Sequence, residues 1–232
     1  TMKNISVDWS NEDYVGMVRY EYPMYEAGGE VIYSSMNPMN YRCTFTDLTL
    51  ENFLFKGNNY VGALGATNVI ADRCKLTGTS SVIGSGNYIG GFVGCNIINE
   101  EIFVSNSSIE TCTIKGVDYV GGIVGKYIVD RDRPGGLTST LRILKSCSSA
   151  ATVDASGNYV GGIFGVIGNS NGYVDDVQFS SEGFSLSLFE CINTGKVSGQ
   201  NYVGGIGGSF ALKGGTSIKD KVSIMNSASE GE

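Results

Sequence analysis

A few acidic side chains have a spacing that could support hydrolysis. Glutamates occupy residues 100–101, aspartates occupy residues 175–176, and Asp130 and Asp132 lie two positions apart. Two carboxylates that face each other across a groove are the machinery of most sugar-cleaving enzymes, and carboxylate oxygens also ligate calcium. However, neighbours on one strand point to opposite faces, and no calcium-loop spacing is present. We interpret these acids as solvated loop charges, with a glycan-active enzyme as the alternative.

The six cysteines could form disulfides, ligate a metal or fill a core. The chain has no histidine and no CxxC pair, so the converging ligands of a zinc site are missing. Cys74, Cys147 and Cys191 lie 14, 12 and 11 residues before the tyrosine of a repeated phrase, which is typical of a column of buried small residues. We predict mostly buried free thiols, with one or more disulfides as the alternative. Since the HExxH, GxSxG and phosphate-loop motifs are also missing, we predict no catalytic, cofactor-binding or metal-binding residues.

Tyrosines are concentrated at residues 18–41, where they are interleaved with acids. An exposed tyrosine ring is rigid and amphipathic, so it can stack on a sugar ring or anchor a protein partner. Alternatively, these rings cover the open end of a repeat array, where unpaired strand edges need shielding. We favour capping, and we name Tyr20, Tyr22 and Tyr25 as the candidate ligand-binding residues.

One apolar, glycine-containing phrase occurs six times. Its copies are NNYVGALG (58–65), GNYIGGFVG (86–94), VDYVGGIVG (117–125), GNYVGGIFG (157–165), QNYVGGIGG (200–208) and the weaker EDYVGMV (12–18). Each tyrosine follows Asn or Asp and precedes a β-branched residue and a glycine, and an apolar residue stands four positions after it. Asn and Asp tolerate left-handed backbone and bond their own turn, so we expect a corner there. Glycine permits a bend that turns both apolar positions inward, and it lets neighbouring chains approach closely.

The spacing of the phrase predicts a stack of coils. Successive tyrosines are 46, 28, 31, 40 and 43 residues apart, in or near the range of stacked supersecondary units. One such unit cannot bury its apolar face alone, but stacked coils bury a continuous core and pair each strand with its copy in the next coil. We predict an all-β fold, a parallel β-solenoid (β-helix) of about six repeats with inserted loops, such as 128–138 and 166–178. An antiparallel sandwich of short strands is the alternative.

The repeats predict a single domain over residues 1–232. Residues 1–45 are an atypical first unit and a candidate cap, and residues 46–210 hold the repeat units. Residues 211–232 are the start of a further, truncated unit, because KVSIMNSASEGE parallels the opening of earlier units. We therefore expect the chain to be part of a longer polypeptide.

The charge balance disfavours two classes of partner. With 23 acidic and 16 basic residues the net charge is −7, whereas nucleic acids and anionic lipid surfaces require clustered cations. No apolar run approaches the roughly 20 residues of a membrane helix. We expect no nucleic-acid partner and no membrane insertion.

Two stretches, SCSSAATVDASGNYVGGIFG (146–165) and ECINTGKVSGQNYVGGIGG (190–208), resemble the GLUG-type repeat of bacterial surface proteins. The resemblance extends over about residues 10–210, although the first unit has Met17 where glycine is expected. It implies a secreted or cell-surface bacterial module without catalytic activity. Such a module acts as an adhesin, a stalk or an accessory domain, and it binds a host or bacterial glycan or protein through exposed loops. The alternative is a polysaccharide hydrolase or lyase built on a β-helix.

Overall fold

The chain folds as a parallel β-solenoid. The computed structural model describes residues 1–19, 24–27, 30–33, 43–96, 103–129, 140–169, 185–211, 221–225 and 227–230. Within these residues there is no helix, and all strands except those of one hairpin stack into five parallel sheets of five to seven strands each. The fold class predicted from the repeats is therefore confirmed, and the antiparallel sandwich is excluded.

A partial coil precedes the regular stack. It consists of β1 (Met2–Lys3), β2 (Ser6–Asp8) and two single bridges, Val15 to Val61 and Val18 to Gly65. An antiparallel hairpin follows, formed by β3 (Met24–Ala27) and β4 (Glu30–Tyr33). Part of the atypical first unit thus stacks like the units after it.

Five full coils of five short strands each come next. The first holds β5 (Cys43–Thr46), β6 (Thr49–Glu51), β7 (Leu54–Gly57), β8 (Val61–Gly62) and β9 (Gly65–Thr67). The second holds β10 (Val69–Asp72), β11 (Lys75–Thr77), β12 (Ser81–Gly84), β13 (Ile89–Gly90) and β14 (Val93–Asn96). The third holds β15 (Val104–Ser105), β16 (Ser108–Ile109), β17 (Thr113–Gly116), β18 (Val120–Gly121) and β19 (Val124–Val129).

The last two full coils have the same order of strands. The fourth holds β20 (Thr140–Lys145), β21 (Ser148–Ser149), β22 (Thr152–Ala155), β23 (Asn158–Gly161) and β24 (Phe164–Asn169). The fifth holds β25 (Ser185–Phe189), β26 (Ile192–Asn193), β27 (Val197–Ser198), β28 (Asn201–Gly204) and β29 (Gly207–Ala211). A final partial coil contains β30 (Lys221–Met225) and β31 (Ala228–Ser229).

Equivalent strands of successive coils pair in parallel and form five faces. Face 1 is β5, β10, β15, β20, β25 and β30, and face 2 is β1, β6, β11, β16, β21, β26 and β31. Face 3 is β2, β7, β12, β17, β22 and β27, face 4 is β8, β13, β18, β23 and β28, and face 5 is β9, β14, β19, β24 and β29. The repeated phrase supplies face 4, a sharp bend and the start of face 5.

In-register stacking brings the repeated apolar positions into internal columns. The β-branched residue of the phrase pairs with its own copy from coil to coil, and it is fully buried in Val15, Val61, Ile89, Val120 and Val160. The apolar residue three positions later belongs to the same core cluster, as in Phe92 and Ile163. The predicted inward orientation of both positions is confirmed, because the bend at the glycines separates two strands on different faces.

All chain insertions occur at one corner, between face 5 and face 1. The first two full coils are joined there by Asn68 alone. The other connections at this corner are longer, and they comprise residues 19–42, 97–103, 130–139, 170–184 and 212–220. Residues 128–129 and 166–169 belong to β19 and β24, so the predicted insertions begin a few residues later than the sequence indicated. We call this edge of the solenoid the insertion corner.

Candidate binding surface

Six tyrosines, one from each copy of the repeated phrase, form a continuous stack at the start of face 4. Neighbouring ring centroids are 4.6–5.0 Å apart, and neighbouring ring planes lie within 17° of parallel. The members of this tyrosine ladder are Tyr14, Tyr60, Tyr88, Tyr119, Tyr159 and Tyr202. All except Tyr202 are half-buried, so the ladder forms a ridge that is partly open to solvent.

The tyrosines themselves hold the left-handed backbone of this corner. Their φ angles are 53–64°, and the Asn and Asp residues before them are not in that region. The corner was predicted correctly, but the assignment of its left-handed residue to Asn or Asp was wrong. Left-handed backbone costs an L-residue about 1–2 kcal/mol. Each interior ring stacks on two neighbours, and aromatic pairs contribute about 0.5–1.5 kcal/mol each, so the stacking offsets the strain.

The Asn or Asp before each tyrosine connects one coil to the next. Asp13 Oδ1 accepts a hydrogen bond from the Asn59 amide at 2.9 Å, and Asn59 Oδ1 accepts one from the Asn87 amide at 2.8 Å. The same contact links Asn87 to Asp118 at 3.1 Å and Asp118 to Asn158 at 2.6 Å. These side chains therefore bond the turn of the next coil and not, as predicted, their own turn. The contact needs only an acceptor oxygen, which both residue types supply.

The glycines of the phrase allow faces 4 and 5 to pack backbone against backbone. A Cβ atom at Gly125 would lie 2.6 Å from Gly94 O, 2.6 Å from Ile89 N and 2.7 Å from Tyr119 O. A Cβ atom at Gly90 would lie 2.6 Å from the amide nitrogen of Gly125. Distances below 3.0 Å are essentially never found for real Cβ atoms. The close approach predicted from the glycines is confirmed.

A buried lysine lies against the ladder. Lys126 on β19 is 5% exposed, and its Nζ atom is 5.4 Å from the ring centroids of both Tyr88 and Tyr119. Its partner in register on β14 is Cys95. Burial lowers the pKa of Lys126 and raises the pKa of Cys95 to about 12. Both distances are within the range of a cation–π interaction, which stabilises a desolvated ammonium ion, so Lys126 supports the ladder from beside the two stacked rings.

The ladder has little capacity to stack a ligand. Each interior ring already has a neighbouring tyrosine on both faces. Tyr202 differs, because it is 61% exposed and, among the described residues, stacks only on Tyr159. A planar or sugar ligand could therefore stack at the end of the ladder but not along it.

The described carboxylates with shifted pKa values belong to surface hydrogen-bond and ion-pair networks. Arg73 binds Asp47 at 2.6 Å, and Lys115 binds Asp154 at 3.3 Å. Hydrogen bonds from neighbouring side chains lower the carboxyl pKa of Asp8, Asp47, Asp72, Glu110 and Asp154. A general acid at neutral pH needs the opposite shift, so these five residues do not have the environment of a catalytic acid.

Most of the cysteines are buried, as predicted. Cys74, Cys95, Cys112, Cys147 and Cys191 are buried, Cys43 is partly exposed, and all six are free thiols. Cys74, Cys147 and Cys191 each follow a face 1 strand and point into the core, which confirms the predicted column. Among the described residues, no group of three or more acids and cysteines is arranged to hold a metal ion.

The candidate site residues from the sequence share one attachment point. Tyr20 and Tyr22 lie outside the described residues, and Tyr25 belongs to the backbone of β3. The candidate acids also lie outside the described residues, namely the glutamates at 100–101, the aspartates at 175–176, Asp130 and Asp132. Every one of these positions falls in a segment that leaves and rejoins the solenoid at the insertion corner.

These features define a repeat protein of the parallel β-solenoid class with a regular core, a half-buried tyrosine ladder and one edge of variable insertions. The chain matches no protein-family model, and it has no significant match among curated proteins or solved structures. In the part of the chain that the structure describes, no helix is long and apolar enough to cross a membrane.

Proposed function

We propose that this chain is a non-catalytic binding and spacer module of a secreted or cell-surface bacterial protein, similar in role to GLUG-type repeat regions. The solenoid serves as a rigid scaffold, and a host or bacterial glycan or protein binds through the insertions. In a longer polypeptide, such a module acts as an adhesin, a stalk or an accessory domain.

The placement of the insertions carries this proposal. Five connections of different length leave the scaffold at the insertion corner, whereas Asn68 alone makes the equivalent connection between the first two full coils. Loops held by a rigid scaffold are the usual location of binding residues. Because parallel coils repeat about every 4.8 Å, the connections are anchored in a row, which suits several weak contacts with one extended ligand.

The rest of the described surface supports the same assignment. The repeated positions of the phrase are used for packing, stacking or inter-coil hydrogen bonds, as in Val120, Tyr119 and Asp118. A residue that fills a structural role in every coil is not available to recognise a ligand. Recognition is therefore assigned to the segments that differ between coils.

Substitution of the tyrosine stretch tests the proposal. If these tyrosines form a contact surface, replacing Tyr20, Tyr22 and Tyr25 together with Ser should abolish binding in a glycan array or protein pull-down, while the thermal midpoint stays within about 2 °C of the unchanged chain. Trp9→Ser is the matched control, since it removes a 49% exposed aromatic ring that directly follows β2 on face 3, away from the insertion corner, and it should leave binding intact. A fall in stability of several kcal/mol in the triple variant would instead identify these residues as a cap. Retained binding in the triple variant would contradict their assignment.

A glycan-active enzyme is the second candidate. It is favoured by one observation, namely that the acids at 100–101, 130, 132 and 175–176 all lie in insertions attached to the same corner. Opposed carboxylates from two insertions would form the pair that glycoside hydrolysis requires. Polysaccharide turnover that is lost in Asp175→Asn or Asp176→Asn would establish this function and overturn the non-catalytic assignment.

A further inference from the structure

Two of the buried cysteines occupy the same position in adjacent coils. Lys145 pairs with Phe189 and Ser148 pairs with Ile192, so Cys147 and Cys191 lie between two fixed points of one register. The Ile192 amide donates a hydrogen bond to the Cys147 carbonyl at 2.9 Å. Both side chains point into the core and are at most 1% exposed. The two sulfur atoms are therefore brought together by the stacking itself.

The two thiols act on each other. The neighbouring Cys147 side chain lowers the pKa of Cys191, while burial raises the pKa of Cys147. Adjacent parallel strands are about 4.8 Å apart, within the roughly 4.4–6.8 Å between Cα atoms that a disulfide accepts. From a similar spacing, the Cβ atoms need to approach by only about 0.3–1.3 Å to reach the usual disulfide range of about 3.5–4.5 Å.

Among the described residues, no other cysteine has a cysteine neighbour in register. Hydrogen bonds between consecutive coils define the column that contains this pair. Leu48, Cys74 and Ser107 precede Cys147 in successive coils, and Ser227 follows Cys191. Cys74 occupies the same corner as Cys147 but lies between Leu48 and Ser107. Cys95 is paired with Thr67 and Lys126, and Cys43 with Val69. Cys74 is thus a suitable control, because it is a buried thiol without a neighbouring thiol.

We propose that Cys147 and Cys191 are a redox-active pair that closes to a disulfide between the fourth and fifth full coils. The oxidant is a low-molecular-weight disulfide. The Cys191 thiolate attacks one of its sulfurs to form a mixed disulfide and releases one thiolate. The Cys147 thiolate then attacks the Cys191 sulfur and releases the second. Two electrons pass from the protein thiols to the oxidant, and the two protons from the cysteines are taken up by the released thiolates.

The coil that follows Cys191 provides access to the pair. There the Ser227 hydroxyl accepts from the Cys191 amide at 2.9 Å, and the Ala228 amide donates to the Cys191 carbonyl at 3.1 Å. Ile224 and Met225 in the same coil are 46% and 41% exposed. Elements with few buried contacts open most readily, so Cys191 is reached first. The disulfide then fixes the fifth coil to the fourth across the insertion at residues 170–184.

Serine variants are suited to testing the pair. The Cys147 thiol donates to the Lys145 carbonyl at 3.3 Å, and the Ser107 hydroxyl at the same place in the preceding coil donates to the Ser105 carbonyl at 2.6 Å. Serine thus makes the native contact of this corner. We expect Cys147→Ser, Cys191→Ser and the control Cys74→Ser to fold with similar far-ultraviolet spectra.

The experiment is thiol counting on the full chain after equilibration with mixtures of oxidised and reduced glutathione, followed by alkylation and peptide mass mapping. Six free thiols should fall to four, with one cross-linked peptide pair containing Cys147 and Cys191 and a higher thermal midpoint. Cys74→Ser should still lose two thiols, whereas Cys147→Ser and Cys191→Ser should form no intramolecular disulfide. Six remaining thiols at the highest glutathione disulfide concentration, or cross-links between other cysteines, would overturn the proposal. Should one serine variant fail to fold, the other and the mapped cross-link still decide the question.

Discussion

At the scale of single residues, the space around one Cβ atom determines where the phrase requires glycine. Gly94, Gly125, Gly165 and Gly208 occupy one column, and a Cβ atom at each would meet backbone atoms of the preceding coil. The first full coil has Ala66 at this place, and it is fully buried. A methyl group is thus accommodated at this place in the first full coil, which follows the irregular coil of residues 1–18.

Gly125→Ala tests this steric limit. Its methyl group would collide with backbone atoms of Gly94, Ile89 and Tyr119, which cannot move without breaking the stack. We expect a loss of about 3 kcal/mol or more in the free energy of unfolding, measured by urea denaturation. Ser156→Ala, at an exposed site between β22 and β23, should change the free energy of unfolding by less than about 0.5 kcal/mol. A stable Gly125→Ala variant would show that faces 4 and 5 can separate.

The buried thiols make the fold sensitive to alkaline pH. Burial raises the pKa of Cys95 and Cys112 from 9.0 to about 12. A raised pKa in the folded state means that stability is full below pH 9 and falls as the pH rises toward 12, by up to about 1.4 kcal/mol per pH unit for each thiol. Cys112→Ala should reduce this slope in urea denaturation between pH 8 and 11. Asp47→Asn should leave the slope unchanged, because this carboxyl is ionised throughout that range.

At the scale of the structural element, the corner before face 4 is a motif that occurs in all six copies of the phrase. It combines a left-handed tyrosine with an Asn or Asp that accepts the amide of the next coil, as Asp118 accepts from Asn158 at 2.6 Å. Tyrosine is an unusual residue for left-handed backbone. Glycine could adopt this backbone without a steric cost. Tyrosine is present in all six copies because the stacking of its ring on neighbouring rings offsets the cost of left-handed backbone.

Asp118→Ala and Asp118→Asn separate the hydrogen bond of this corner from its charge. The alanine variant leaves the Asn158 amide without its acceptor, which should lower the free energy of unfolding by about 1–3 kcal/mol. The asparagine variant keeps the acceptor oxygen, and four of the six copies of the phrase have Asn here, so its stability should match the unchanged chain within about 0.5 kcal/mol. Equal stabilities of the two variants in thermal denaturation would mean that the inter-coil bond contributes nothing.

At the scale of the whole molecule, a repeated position has a different environment at the end of the stack. Val160 is fully buried between equivalent residues of two coils, whereas Val203 in the fifth coil is 43% exposed. Substitution by Lys should therefore have a large effect on stability at Val160 and a small one at Val203. Val160→Lys places an unpaired charge in a continuous core and should prevent folding, while Val203→Lys should change the free energy of unfolding by less than about 1 kcal/mol. Circular dichroism during thermal denaturation compares the two variants. An intact fold in Val160→Lys would contradict the continuous core.

The sequence by itself determined the parallel solenoid, its buried columns and the need for close backbone contact at the glycines. Those features follow from local rules, since identical residues at a repeated position must occupy identical places once coils stack in register. The stacked tyrosines were also accessible from the phrase, because every copy contains one. Lys126 gave no such signal, as it stands just outside the phrase and in one coil only.

Only the tertiary structure decided how positions far apart in sequence combine. The sequence predicts left-handed backbone at the Asn or Asp, whereas the structure has it at the tyrosine, because the rings gain stacking energy only when the coils are stacked. The structure showed that every insertion leaves from one corner, although the insertions differ in length and composition. It also paired Cys147 with Cys191 and left Cys74 without a thiol neighbour, although the three occupy one column. The spacing along the chain varies with each insertion, so the coil register, and not the sequence separation, determines which side chains meet.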